Sequence, residues 1–506
     1  KGDFASGTSS KSSKLIHGGV RYLEQGELAL VLESSRERDL LRRRLAPHLV
    51  RPLAFFFPVY RDGPVGLWKL RAGLFTYDVL AAFRNIRRHR AFRAPGASRM
   101  EPMLRTDGLR GGALYYDCIT DDARLVLETV LAAETAGAIC LNYVALEGFD
   151  RTGGKISAVR LRDLDGGEGS VTAPAKLVVN ATGPWLDRVR ALDDPSAPSL
   201  LRPTKGAHQV VPHERVGNRH AIVLHAVTDR RVLFVIPWDG QALIGTTDTD
   251  FDGDPDRVIA DSSDVDYLLE TVNFYFPAAR LTESDVVSTF AGLRPLVAGA
   301  PGALPSALSR EEDLFESPSG LLSLGGGKLT TYRRVAIRVV DRVARRLESE
   351  QGLHPRSRSG TDREPLPGGG DVGERVGGER DGERSLDATR LRFLASRYGA
   401  RFREILRCVD GDPSLAEPLG PATPHLRAEA RFAAETELAR RVEDVLRRRT
   451  QAALRSADGG ATMAETTAAL MAEAVGWDRQ TASQRAEEYR RSLEPATTAE
   501  ARRREA

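Results

Sequence analysis

Cysteine is scarce in this chain: among 506 residues there are three, Cys118, Cys140 and Cys408, with no CxxC spacing. That excludes a disulfide framework and a sequence-evident zinc site, and it fits a reducing, cytoplasmic setting. Long apolar runs are missing as well. The best window, VGLWKLRAGLFTYDVLAAF, is interrupted by Lys69, Arg71 and Asp78. It falls short of the ~18 uninterrupted apolar residues of a spanning helix, so no membrane crossing is expected. Charge of one sign is lacking too, because 73 basic and 70 acidic residues leave a formal charge of only +3. No nucleic-acid-binding field follows from such totals. Lysine is rare: only eight of the 73 basic residues are lysine, and four of them fall in the motifs described below. Arginine does not reproduce a compact ammonium, so the retained lysines point to chemistry.

A working dinucleotide fingerprint is also absent. Gly368, Gly370 and Gly373 have GxGxxG spacing, but Pro365, Pro367 and charged neighbours stand where a strand and a helix are needed. The GGGK at 325–328 is not a phosphate loop of the Walker type, since Leu329 follows the lysine and no glycine stands five before Gly327. The chain opens at Lys1 with KGDFASGTSS, which has neither a signal-peptide core nor an Arg-rich amphipathic character, and reads as a cut.

What is present is a globular composition, 41% hydrophobic, with length for two or three domains. Residues 27–46 read as a helix and LAFFFPVY as a buried strand. The helical stretch from Val65 to about Arg90 ends in RNIRRHR, which leaves two readings open: a solvated helix end, or a basic helix lying on an anionic bilayer. Thr120 or Asp121 can cap a helix that ends at Gly137, followed by a strand AICLNYVALEGF. After the turn at Arg151-Thr-Gly-Gly come the strand KISAVRLRDL and then VTAPAKLVVN, another strand, entering the loop ATGPW. RVLFVIPW and QALIGTTD flank Asp239-Gly240, the signal of a tight hairpin. Gly352 to about Ser385 reads as a solvated linker. Beyond it the apolar spacing of ETELARRVEDVLRRRT and a helix after Asp478 predict an α-helical domain.

The segment SGTSSKSSKLIHGGVRYLE, residues 6–24, sets a hydroxyl-rich loop against Leu15 and Ile16, with Arg21 and Tyr22 suited to an oxyanion. From Lys1 through this segment the chain resembles the FAD-dependent glycerol-3-phosphate dehydrogenases. The likeness continues through YYDCITDDARLVL, VVNATGPW, KGAHQVVP, FVIPWDGQALIGTTDTDFDGDP, STFAGLRPL, LGGGKLTTYR and RFAAETELARRVEDVLRRRT. It implies an α/β (α+β) architecture with three parts. A glutathione-reductase-like FAD-binding domain would comprise 1–50, 115–200 and 286–350, incomplete because its first βαβ unit is lacking. A sheet-based substrate domain would comprise 51–114 and 201–285. A linker at 351–385 would lead to a helical domain at 386–500. An unpaired sheet edge with exposed apolar surface is expected where the lacking unit should pack.

The resemblance also implies the chemistry. FAD would be held by Thr8, Ser9, Ser12, Lys14, Leu15, His17, Val144, Thr182, Gly183, Gly326, Gly327 and Leu329. In SLGGGKLTTYRR a strand, three glycines and a helix would aim backbone N–H groups at the flavin edge that gains negative charge on reduction. A dianionic phosphate needs convergent cations, for which Arg21, Arg294 and Lys328 are expected, with Tyr22 and Thr330 completing the hydrogen bonds. Loss of hydride from C2 needs a base for the hydroxyl proton; His208 is expected in that role, with Lys328 as a group that could polarise the alcohol. The implied reaction is oxidation of sn-glycerol 3-phosphate to dihydroxyacetone phosphate, with electrons passing to a membrane quinone and the protein peripheral at the cytoplasmic membrane. The resemblance allows a homodimer and involves no nucleic acid. Alternatives are an oxidase using O2, an amine- or amino-acid-oxidising relative whose arginine binds a carboxylate, and an inactive remnant unable to bind FAD.

Overall fold

The computed structural model describes residues 1–19, 26–81, 85–167, 169–298, 312–355, 357–370, 386–421 and 423–493. Its centre is a sheet in the order Leu15–Ile16, Leu109–Ile119, Arg51–Tyr60, Ala221–His225, Val232–Trp238, Gln241–Gly245, Leu201–Pro212, Thr249–Asp250. Arg90–Arg93 pairs with Leu109–Ile119, and Ser288–Val297 runs antiparallel along the whole of Leu201–Pro212. Among the described residues, the one parallel pairing in this sheet joins Ala221–His225 to Arg51–Tyr60.

The apolar run in Arg51–Tyr60 is continuous because both faces of the sheet are covered. Phe56 packs with Ile222, Val235 and Leu268, the last from the helix Ser262–Tyr275. Phe55 and Val59 face the opposite way, against Leu70 and Leu74 of the helix Leu67–Leu80. The hairpin forms as expected: Trp238 pairs with Gln241, and Asp239 and Gly240 take φ of 46° and 80°. The helix expected from Val65 stops at Leu80, and Asn85–His89 is not helical, so the basic stretch is not its continuation.

Two smaller sheets flank this one. Val144–Thr152, Lys155–Asp163 and Ser170–Pro174 form an antiparallel meander. Asp313–Glu316, Leu322–Gly325 and Val179–Asn180 form the other, whose last pair is parallel. Thus VTAPAKLVVN is two strands in two sheets rather than one; Pro174, which has no N–H to donate, ends the first. The strand after Gly137 begins at Val144 rather than Ala138. Among the described residues Val179–Asn180 lies at an edge of its sheet, and Val179 and Val340 are exposed. Among the described residues no helix is long and apolar enough to cross a membrane.

Asp121 caps the helix Asp122–Thr135 by accepting from the Arg124 N–H. The helical unit is bound to it and to the chain's first residues by buried ions. Arg124 forms a two-pronged bond with Glu437, at 3.0 and 2.7 Å. Asp3 accepts from Arg448 at 2.7 Å and from Arg449 at 2.5 Å. Burial opposes ionisation of Asp3, but the two guanidiniums prevail and hold its carboxyl at about 2. These pairs explain a departure from expectation. ETELARRVEDVLRRRT is not one helix: Arg427–Thr436 stops, and a wider helical turn resumes at Asp444–Arg449. The interruption turns Glu437 toward Arg124 and lets Asp444 accept the N–H groups of Arg440 and Arg441. The linker is likewise not solvated throughout. Leu366 donates to the Leu45 carbonyl and Gly368 to Glu128, so 366–370 is packed against the body; residues 371–385, including Gly373, lie outside the described residues.

Candidate active site

Alternation along Leu201–Pro212 places Gly206 and His208 on one face, above a cavity of about 1210 Å³ that both residues line. His208 is held on three sides. Its ring stacks on Phe290, the cross-strand partner, with centroids 4.9 Å apart and planes 13° from parallel. Its Nε2 lies 2.8 Å from the hydroxyl of Ser13, which comes from the loop across the cavity. Gly245 leaves the remaining space: a Cβ there would fall 2.2 Å from the His208 Cδ2. The Nδ1 is buried with no hydrogen-bond partner among the described residues. Burial first, then the charges of Arg294 and Lys14, push the imidazole down to about 3, so the ring is neutral at physiological pH.

Arg294 projects from Ser288–Val297 into the same cavity. Its Nη1 donates to Asp248 at 3.0 Å, and its Nη2 donates to the Thr246 hydroxyl at 3.1 Å and the Thr247 carbonyl at 3.2 Å. The guanidinium crosses Gly206, where any Cβ would lie 2.6 Å from Nη2. The third wall is the turn after Leu322–Gly325. Gly326 and Gly327 have φ of 75° and 95°, a backbone that side-chain-bearing residues adopt only at a cost. They deliver the chain to Lys328, whose Nζ is buried, at the start of the short helix Leu329–Thr331, which continues as Tyr332–Gln351. Thr330 accepts from the His17 N–H at 3.3 Å, tying this turn to the hydroxyl-rich loop.

One cavity therefore gathers Thr8, Ser9, Ser12, Leu15, His17, Thr182, Gly183, Gly326, Gly327 and Leu329 with His208, Arg294, Lys328 and Thr330. Two expected cofactor residues are not in its wall. Lys14 is fully buried, its ammonium 2.7 Å from Asp122 and over the Trp238 ring, so its charge serves the scaffold. Val144 starts the meander strand away from the cavity. Arg21 and Tyr22 lie outside the described residues. The cavity also holds groups the sequence reading missed. Thr246 and Asp248 sit within a quoted motif, GTTDTD, but a search for cations passes over a carboxylate and its neighbours. Phe55, Phe57, Tyr115 and Phe234 form an aromatic wall that reads in sequence as ordinary core.

The walls suit a planar, anionic cofactor: a glycine turn where a Cβ on Gly327 would meet only open space, a buried ammonium, and an orphaned imidazole nitrogen. The FAD dependent oxidoreductase family matches residues 1–333, and the C-terminal domain of alpha-glycerophosphate oxidase matches 359–482. The chain is 37% identical over 510 residues to a glycerol-3-phosphate dehydrogenase of Synechocystis, covering 98% of this chain and 91% of that protein. It is 37% identical over 484 residues to glycerol-3-phosphate dehydrogenase 2 of Mycobacterium tuberculosis, covering 94% and 80%. A solved glycerol-3-phosphate dehydrogenase from Bacillus halodurans, complexed with FAD, superposes with a TM-score of 0.77 at 31% identity, covering 98% of this chain and 89% of that one.

Proposed function

The chain belongs to the family of FAD-dependent glycerol-3-phosphate dehydrogenases, and on that footing we propose that it oxidises sn-glycerol 3-phosphate to dihydroxyacetone phosphate and passes the electrons to a quinone at the cytoplasmic face of the membrane. The observation that carries the substrate reading is the meeting of Arg294, Lys328 and His208, 120 residues apart in sequence, around one cavity. Bound FAD supplies the acceptor for the C2 hydride. Arg294 and Lys328 bind the phosphate, a dianion that needs at least two cations away from bulk water. Arg21, Tyr22 and Thr330 add hydrogen bonds on the strength of the family motif. His208 takes the hydroxyl proton at Nε2, the nitrogen that faces Ser13. Burial is the main cause that holds the imidazole low and the cations add to it; a bound dianion offsets the cations' part, so substrate itself raises the basicity of His208.

The aromatic wall supports a quinone as acceptor. Phe55, Phe57 and Phe234 line the cavity with Leu70 and Leu74 of the helix Leu67–Leu80. The same helix turns Trp68 and Phe75 outward, 78% and 57% exposed. An apolar slot for a quinone ring and an apolar outer face share one helix, with Lys69 and Arg71 beside it to meet anionic headgroups. Replacing Trp68 and Phe75 together by glutamate removes about 3–6 kcal/mol of buried apolar surface at a bilayer. The double variant is expected to lose sedimentation with anionic vesicles and turnover of vesicle-borne quinone by more than tenfold, while glycerol 3-phosphate still bleaches the flavin. Unchanged vesicle binding, or full-rate peroxide production from O2 without quinone, would turn the reading toward an oxidase.

A further inference from the structure

From the packing around Arg294 we infer that Asp248 is a positioning residue that sets the anion affinity of the site by holding the Arg294 guanidinium in place and partly neutralising it; this rests on the substrate reading above. All three described acceptors of Arg294 come from one short segment: the Asp248 carboxylate, the Thr246 hydroxyl and the Thr247 carbonyl. The segment follows Gln241–Gly245 directly, at the rim of the cavity that Thr246 and Asp248 line.

The segment is itself anchored from behind. The Thr247 hydroxyl accepts from the Ala207 N–H at 2.9 Å and donates to Asp264 at 2.9 Å. The other Asp264 oxygen lies 2.6 Å from the Lys205 ammonium. Asp264 and Asp261 form the reciprocal cap of the helix Ser262–Tyr275, and Lys205 pairs with both. A connected set of bonds, buried at Thr247 and Asp264, thus runs from a helix end through Lys205, Asp264 and Thr247 to the acceptors of Arg294. Gly206 lets the guanidinium lie close to the strand, since a Cβ there would fall 2.6 Å from both Nη2 and the Thr246 hydroxyl. A lone arginine on a strand would lose side-chain freedom only when substrate arrives; here that ordering is already done.

The carboxylate has a second effect that an uncharged acceptor lacks. Asp248 lies against Arg294 in the cavity wall, and its charge repels an incoming anion, which restrains substrate and product affinity. Geometry and charge can therefore be separated. Asp248→Asn keeps an oxygen acceptor for Nη1 and removes the charge, whereas Asp248→Ala removes both.

The test is titration of the FAD-loaded protein with inorganic phosphate, followed by the flavin's spectral shift, alongside steady-state kinetics with sn-glycerol 3-phosphate. Asp248→Asn is expected to bind phosphate about 3- to 10-fold more tightly and to lower KM correspondingly with little change in kcat. Asp248→Ala is expected to raise both the phosphate Kd and KM by at least about tenfold. Should the alanine variant fail to retain FAD, Thr246→Val, which removes one acceptor of Nη2, is expected to weaken phosphate several-fold. Equal shifts of the same sign in the asparagine and alanine variants, or no shift in either, would overturn the inference. Because phosphate binding is read without turnover, failure of the wild-type protein to be reduced by glycerol 3-phosphate sinks the substrate reading separately.

Discussion

Arg294→Ala is expected to lower kcat/KM for glycerol 3-phosphate by roughly 150- to 5,000-fold, equivalent to about 3–5 kcal/mol, with most of the loss in KM. The size follows from what is left behind. Alanine removes a cation from the proposed phosphate site and strands Asp248, only 10% exposed, as an uncompensated carboxylate in the cavity wall. Lysine is expected to restore a small part of the loss, since a single ammonium cannot serve Asp248, Thr246, Thr247 and a phosphate at once. Steady-state kinetics over a wide substrate range decides the matter; a change confined to kcat at constant KM would mean that Arg294 does not bind the phosphate.

His208→Asn is expected to act on the other parameter, lowering the rate of flavin reduction by about 10²- to 10⁴-fold while KM moves little. Asparagine fills similar space against Phe290 and Gly245, so the loss reports proton transfer rather than packing. The pH profile gives an independent reading. The free enzyme's imidazole is held at about 3, so it stays unprotonated across the working range and contributes no acid limb to kcat/KM. The limb that remains belongs to the substrate's phosphate, near its second pKa of about 6, and wild type and variant are expected to share it. A wild-type limb near pH 6.5 that vanishes in the variant would show that His208 titrates there and that its surroundings are not those described.

Much of this is legible in the sequence, for identifiable reasons. The turn at Gly326 and Gly327 and the Asp239-Gly240 hairpin are readable because few residues tolerate those backbone angles. The cap at Asp121 was readable because an N-terminal N–H needs a short polar acceptor. His208 and Arg294 were reached through their motifs, not through any local pattern. What could not be read was partnership across long sequence separations. Lys14 looked like a ligand-facing lysine, but its partner is Asp122, more than a hundred residues away, and the pair is fully buried. Asp248 carries no local signal of its own, and its partner Arg294 lies 46 residues further along the chain. The helix break after Thr436 was hidden for the same reason: Glu437 and Asp444 leave a good helical pattern to satisfy Arg124 and the N–H groups of Arg440 and Arg441.

Arg294, Lys328 and His208 line one cavity, proposed above as a phosphate-recognising oxidation site beside the flavin. The most direct measurement is anaerobic addition of sn-glycerol 3-phosphate, and separately of glycerol, to the FAD-loaded protein while its visible flavin absorbance is followed. The phosphate ester is expected to bleach the flavin and glycerol at the same concentration to leave it oxidised; bleaching by both alike, or by neither, would contradict the account.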